Sequence, residues 1–286
     1  MGKIVIVGSG PAGCSAALYA ARAGQEVVVI SMGMGALSKA ELIQNYYGFE
    51  EGITGAELYR QGVAGAKAVG AEFITAEVVG LDYTGSLVVQ TTEGDYPADA
   101  VILATGAGRI APKIAGLAEH EGRGVSYCAT CDAFFYRGKT AAVLGSGEYA
   151  LHEVQALLPL AGKVILCTNG EPLTADFPEG VEICTEKLAA VEGEEKVSAL
   201  RLENGELLPV EGLFVALGVA GSAALARKLG APVENGRIVV DEKMQTGIPG
   251  LYAAGDCTGG LLQVCKAVYE GALAATEAIK QIRGKK

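Results

Sequence analysis

Two copies of one pattern restrict this chain to a small set of folds: a short strand of β-branched residues, an immediate glycine turn, and an alanine-rich helix. The first copy runs from Lys3 to Val7, turns through Gly8-Ser9-Gly10-Pro11-Ala12-Gly13, and continues as a helix over 12–23 and a strand over 26–30. Gly24 follows that helix as its cap. The second copy runs from Thr140 to Leu144, turns through Gly145-Ser-Gly147-Glu-Tyr-Ala150, and reaches its next strand by Cys167. A glycine-punctuated strand–turn–helix is the phosphate cradle of a nucleotide-binding βαβ unit. The first glycine makes the tight turn, the second lets backbone approach a pyrophosphate, and the third allows close helix–strand packing.

The rest of the chain extends these units. A helix is expected over 55–69, strands near 72–81 and 86–92, and a buried strand at Ala100–Ala104 that ends in Thr105-Gly106. Beyond Pro112 the pattern restarts, with strands near 182, 197–202 and 213–216. A short strand at Gly250–Gly255 then leads past Asp256 to a long helix over 264–282. The fold class expected is α/β with two Rossmann-like domains, the second inserted into the first. The expected division is 1–111 with 241–286, and 112–240.

Charge and cysteine usage narrow the function. With 23 basic and 33 acidic residues, the net charge of −10 argues against nucleic acid as a partner. No apolar run approaches the roughly 20 residues of a membrane span. The first strand begins at Lys3, so a cytoplasmic protein with no membrane partner is expected. Seven cysteines at mostly irregular spacing are unlike a secreted disulfide framework. Cys128-Ala-Thr-Cys131 is the exception, a spacing that can close a small reducible disulfide. Asp132 follows it, where a carboxyl can relay a proton to a departing thiolate. A zinc site is not expected, since there is no second Cys-x-x-Cys and the two histidines, His120 and His152, lie elsewhere. The first box alone does not separate FAD from NAD, because its second strand ends at Ile30-Ser31 without the acid that binds a ribose hydroxyl.

Taken together, Gly8–Gly13, Asn45, Ala104-Thr105-Gly106, Gly122–Ser126, Cys128–Asp132 with Phe134–Tyr136, and Gly255-Asp256 resemble the low-molecular-weight thioredoxin reductases along nearly the whole chain. The resemblance implies FAD in the first domain. It would be held by Gly8, Ser9, Gly10, Pro11, Ala12 and Gly13, by Ala104, Thr105 and Gly106, and by Gly255 and Asp256. Leu262, Gln263 and Val264 would approach the flavin ring, Gly35, Ala36, Leu37 and Asn45 would lie along it, and Val78 would lie near the adenine. The resemblance also implies catalysis by Cys128, Cys131 and Asp132, thioredoxin or a similar small disulfide protein as substrate, and a homodimer.

One departure from that family concerns the electron donor. NADPH-using members follow the second box with a strand and an arginine run that grips the 2′-phosphate. Here the strand ends in Cys167-Thr-Asn-Gly-Glu-Pro, with no arginine before Arg201, and Glu171 falls too late to select NAD. Tyr149 replaces a small residue inside the box, where its ring is expected to fill the pyrophosphate space. In these features, and in Asn45–Phe49, Gly147–Glu153 and Asp256–Gln263, the chain resembles the ferredoxin-dependent flavin thioredoxin reductases. Ferredoxin is therefore the expected donor, with Arg109, Lys113, Arg123, Arg137 and Lys139 as its candidate basic patch. Two alternatives are a reductase with atypical NAD(P)H recognition and a non-catalytic redox-sensing flavoprotein.

Overall fold

A computed structural model describes residues 2–106, 114–218 and 221–284. The chain opens with β1 (Lys3–Val7), α1 (Pro11–Arg22), β2 (Glu26–Ile30), α2 (Gly55–Ala68) and β3 (Glu72–Ile74). A meander of β4 (Val78–Tyr83), β5 (Leu87–Thr91) and β6 (Gly94–Ala98) follows, and β7 (Ala100–Leu103) rejoins the first sheet. The next stretch holds β8 (Val125–Ser126), α3 (Ala129–Asp132), β9 (Thr140–Leu144), α4 (Glu148–Leu157), β10 (Lys163–Cys167) and β11 (Glu182–Cys184). It continues with β12 (Leu188–Glu192), β13 (Ala199–Leu202), β14 (Leu207–Pro209) and β15 (Gly212–Val215). The chain ends with α5 (Ser222–Lys228), β16 (Val233–Glu234), β17 (Arg237–Ile238), β18 (Leu251–Ala253) and α6 (Val264–Gly284).

Two compact units result, one of Met1–Arg109 with Gly221–Lys286 and the other of Ile110–Ala220. In the first, a parallel sheet has the order β18-β7-β1-β2-β3. Strand order reverses between β1 and β7, so the ligand crevice of such a sheet lies at their carboxyl ends. Strands covered on both faces read as continuous apolar runs, and Ile4–Val7, Val27–Ile30 and Ala100–Leu103 are all buried. Alanines recur along the buried face of α1 at 12, 16 and 20, one turn apart, and meet Ala267, Ala274 and Ala278 of α6 in the same core. The helices approach so closely that a Cβ on Gly271 would lie 2.0 Å from the Ala12 carbonyl oxygen.

In the second unit the order is β11-β10-β9-β15-β8, again parallel, with the antiparallel β12-β13-β14 sheet sharing its core. The two parallel sheets and inserted topology are those of the expected α/β class. Two expectations on boundaries change. The strand read over 72–81 is two strands in different sheets, because β3 pairs with β2 only through Ile74 and β4 pairs with β5. Residues 221–240, read as part of the inserted domain, belong to the first unit. There α5 packs on β4, and Arg237 of β17 donates to the Asp256 carbonyl. The other crossing falls on residues 107–113, outside the described residues. No helix among the described residues is long and apolar enough to cross a membrane.

Candidate functional site

At the carboxyl ends of β1, β7 and β18 the first unit gathers three of its expected segments. Gly8 has φ of +109°, and a Cβ there would lie 2.3 Å from the Ala104 oxygen, so the turn is closed to any side chain. A Cβ on Gly13 would lie 1.8 Å from the Gly8 oxygen. Gly10 is different, because a Cβ there meets nothing within 4 Å. The turn therefore has its back packed against protein and its middle open. Helix α1 begins with Pro11, has no side-chain cap on Gly10 and no acid in its first turn. Its free N–H groups and positive end suit a pyrophosphate, so these residues fit a dinucleotide such as FAD.

Around that turn, Ser9 Oγ meets Ser31 Oγ at 2.8 Å and Tyr59 Oη at 3.1 Å. Thr105 Oγ1 lies 2.6 Å from Ser222 Oγ and accepts from the Ser222 N–H at 2.9 Å, which ties the turn after β7 to the start of α5. Gly255, with φ of +86° and ψ of −153°, adopts a conformation open in practice only to glycine. It is clamped from α6: Glu270 Oε2 accepts its N–H at 2.8 Å, and Lys266 Nζ donates to its carbonyl at 2.8 Å. Lys266 and Glu270 also pair with each other at 3.0 Å. Asn45 Nδ2 donates to Gln263 Oε1 at 2.8 Å, beside Leu262 and Val264. Gly35, Ala36 and Leu37 form a 3₁₀ turn packed near the start of α2, and Val78 opens β4 opposite Thr91. Burial pushes the Cys257 thiol up to about 11, which keeps it protonated at neutral pH.

The second glycine turn has the same backbone plan but not the same opening. Thr174 folds back onto it, donating its N–H to the Ser146 carbonyl at 2.8 Å. A Cβ on Gly147 would meet Thr174 Oγ1 at 3.0 Å. Glu148 stands in the first turn of α4, and the adjoining cleft of about 540 Å³ is lined by Glu148, Asp176, Leu173, Thr174, Ala175, Phe177 and Ile183. Two carboxylates and no cation make this a poor phosphate site. Tyr149 has a buried side chain whose hydroxyl donates to the Tyr127 carbonyl at 3.0 Å, so it fastens the segment before Cys128.

Cys128 and Cys131 are joined as a disulfide at the start of α3, with Cα atoms 5.3 Å apart. Cys128 is buried and Cys131 exposed. The Cys131 N–H donates to Cys128 Sγ at 3.1 Å, an interaction that favours a thiolate on Cys128 once the bond is open. Ser126 accepts the Cys128 N–H at 3.1 Å and donates to Asp132 Oδ2 at 2.7 Å. Asp132 is thus oriented by the strand that leads into the cysteines. From α4, the buried carboxylate of Glu153 accepts the Ala129 N–H and lies 3.3 Å from His152 Nδ1.

The expected residues therefore fall into two groups, the box, β7 turn and Gly255 turn in one unit, and Cys128, Cys131 and Asp132 in the other. Sequence reasoning missed Ser222, Lys266, Glu270, Glu153 and Thr174. Glu153→Leu is expected to cost about 2 kcal/mol of stability by orphaning the Ala129 N–H, and to slow turnover. Glu153→Gln, which keeps an acceptor, should recover most of both. Melting and turnover of the leucine variant at parental values would remove Glu153 from the site.

Residues 2–271 match the family model described as pyridine nucleotide-disulphide oxidoreductase. A thioredoxin reductase from Aquifex aeolicus is 36% identical over 99% of this chain and 94% of its own length. Among solved structures, the atypical thioredoxin reductase TRi from Desulfovibrio vulgaris Hildenborough is 40% identical, with a TM-score of 0.93 and 99% of each chain covered. A ferredoxin-flavin thioredoxin reductase from Clostridium acetobutylicum is 35% identical, with a TM-score of 0.75 over 99% of this chain and 98% of that one.

Proposed function

The chain belongs to the thioredoxin reductases of the pyridine nucleotide-disulphide oxidoreductase family, and from that premise we propose that it reduces thioredoxin through Cys128–Cys131 with electrons from ferredoxin rather than NAD(P)H. It is an FAD enzyme, and FAD when bound supplies the two-electron carrier. The proposed holders of FAD are the residues named above for the first unit, with Gly10 and the start of α1 on its phosphates.

At the disulfide, two electrons and two protons convert the Cys128–Cys131 bond to a dithiol. One thiolate then attacks the thioredoxin disulfide to give a mixed disulfide, and the other thiol displaces the reduced partner. Asp132, held by Ser126, is the proposed proton relay to the departing sulfur. Phe134 and Phe135, 65% and 67% exposed immediately after the cysteines, offer an apolar surface to a protein substrate. A homodimer and a cytoplasmic setting belong to the same proposal. The first rests on family resemblance and the second on five cysteines left free.

The observation that carries the donor assignment is the covering of the second glycine turn by Thr174, beside Glu148 and Asp176 and without an arginine. Arg123, Arg137 and Lys139 are the described members of the candidate ferredoxin patch, with Arg137 over the Phe134 ring at 5.3 Å and Lys139 over Tyr136 at 5.9 Å. Arg109 and Lys113 lie outside the described residues. An anaerobic titration of the yellow protein tests the assignment. Reduced ferredoxin is expected to bleach the flavin rapidly while NADPH and NADH leave it oxidised. Rapid bleaching by either nucleotide would overturn the ferredoxin reading and restore the pyridine-nucleotide alternative. Sustained disulfide turnover separates an enzyme from a sensor.

A further inference from the structure

Cys167 and Cys184 form a second thiol pair in the inserted unit. They are directly opposed in the parallel pairing of β10 with β11, and the Thr168 N–H donates to the Cys184 carbonyl at 2.9 Å just beyond. Opposed residues on neighbouring strands place their side chains on one face, with strands about 4.8 Å apart. That spacing lies inside the Cα–Cα window of about 4.4–6.8 Å in which a disulfide closes. Cys167 is fully buried in the apolar core, against which Cys184 packs. Cys184 is half-buried, on a three-residue strand at the edge of the sheet, where a small shift of backbone meets one neighbour only.

The two sulfurs are not equivalent. The neighbouring Cys167 thiol holds Cys184 below the ordinary thiol range, helped by the Glu186 backbone and opposed by burial and by Glu186 and Glu206. The same pairing, with burial, pushes Cys167 up. The proton thus stays on the sulfur that is costly to ionise, and the thiolate stands nearer solvent.

We propose that Cys184 and Cys167 are a second redox-active dithiol, Cys184 the attacking sulfur and Cys167 the resolving one, whose oxidant is a small neutral hydroperoxide. The Cys184 thiolate attacks one peroxide oxygen, the O–O bond breaks, and the leaving hydroxide takes a proton to become water. The product is a sulfenic acid on Cys184. The Cys167 sulfur then displaces the sulfenic hydroxyl, a second water leaves with the thiol proton, and the S–S bond forms. Hydrogen peroxide gains the two electrons that the thiols lose. Glu182, Glu186 and Glu206 around the pair disfavour an anionic oxidant such as glutathione disulfide, and a half-buried sulfur is closed to a bulky protein disulfide. The bond would staple β11 to β10 at the root of the segment that covers Gly147.

Peptide mapping of the flavin-loaded protein tests this independently of its electron donor. The protein is reduced, freed of reductant, exposed to excess hydrogen peroxide at neutral pH, and alkylated in denaturant. A Cys167–Cys184 linked peptide is expected, two hydrogens lighter and restored by dithiothreitol. Cys184→Ser should leave Cys167 as an alkylatable thiol and leave peroxide-free thioredoxin turnover unchanged. In Cys167→Ala, Cys184 should proceed past sulfenic to sulfinic acid. Both thiols staying free while Cys128–Cys131 is fully oxidised would overturn the proposal, and so would linkage of Cys184 to any other cysteine.

Discussion

Cys131→Ser is expected to lower thioredoxin turnover by at least about a thousandfold while the protein remains folded and yellow. Serine keeps the size of the side chain but its oxygen closes no reducible bond with Cys128. The fold does not depend on that bond, which spans only three residues of a unit held by the Leu144, Ile165 and Leu213 core. Cys128→Ser should lose turnover as completely, since either thiol alone forms a mixed disulfide and goes no further. Two readouts keep chemistry apart from damage. Anaerobic bleaching by the donor should survive in both variants, and thioredoxin reduction should not. Turnover above about a hundredth of the parent in either variant would mean that another thiol carries the exchange.

The second large effect separates two glycines of one turn. Gly13→Ala places a methyl 1.8 Å from the Gly8 oxygen, a backbone atom that has no flexible side chain to yield. Helix α1 must move off β1, and with it the close contact of Gly271 on Ala12. A cost of about 3 kcal/mol or more follows from overpacking at that depth, with loss of bound flavin and of soluble protein. Gly10→Ala costs the apoprotein almost nothing, because its Cβ meets no atom and its φ of −70° suits alanine. There the methyl would stand in the proposed phosphate approach, so a folded, pale protein is expected. Melting temperature and flavin content, measured together, distinguish the two. A Gly10→Ala protein as yellow as the parent would remove the pyrophosphate from that turn.

What was legible in the sequence was local. The box, its strand and its helix lie within twenty-odd residues, and hydrophobic period with glycine spacing fixes them before any long-range contact forms. Cys128, Cys131 and Asp132 were readable for the same reason. Ser222 was not, because its partner Thr105 lies 117 residues away and the link depends on α5 joining the outer unit. Glu153 looks like any acid on an amphipathic helix until α3 sets the Ala129 N–H against it. Missing arginines after β10 were visible, whereas the covering of Gly147 by Thr174 depends on how residues 168–174 fold back. The bond from Tyr149 to the Tyr127 carbonyl was not legible, because its place inside the box says nothing about the partner its hydroxyl finds.

The discontinuity of the first unit also has a consequence for how the protein is made. Its proposed flavin cradle draws on α1 toward one end of the chain and on the Gly255 turn, clamped by Lys266 and Glu270, toward the other, with Gly271 locked against Ala12. On the ribosome, all strands of the Ile110–Ala220 unit emerge before β18 and α6, so that unit can complete its core while β7 still lacks β18 and α1 still lacks α6. Flavin loading at that proposed cradle must therefore wait until α6 has left the exit tunnel, and the nascent chain carries the alanine face of α1 uncovered until then.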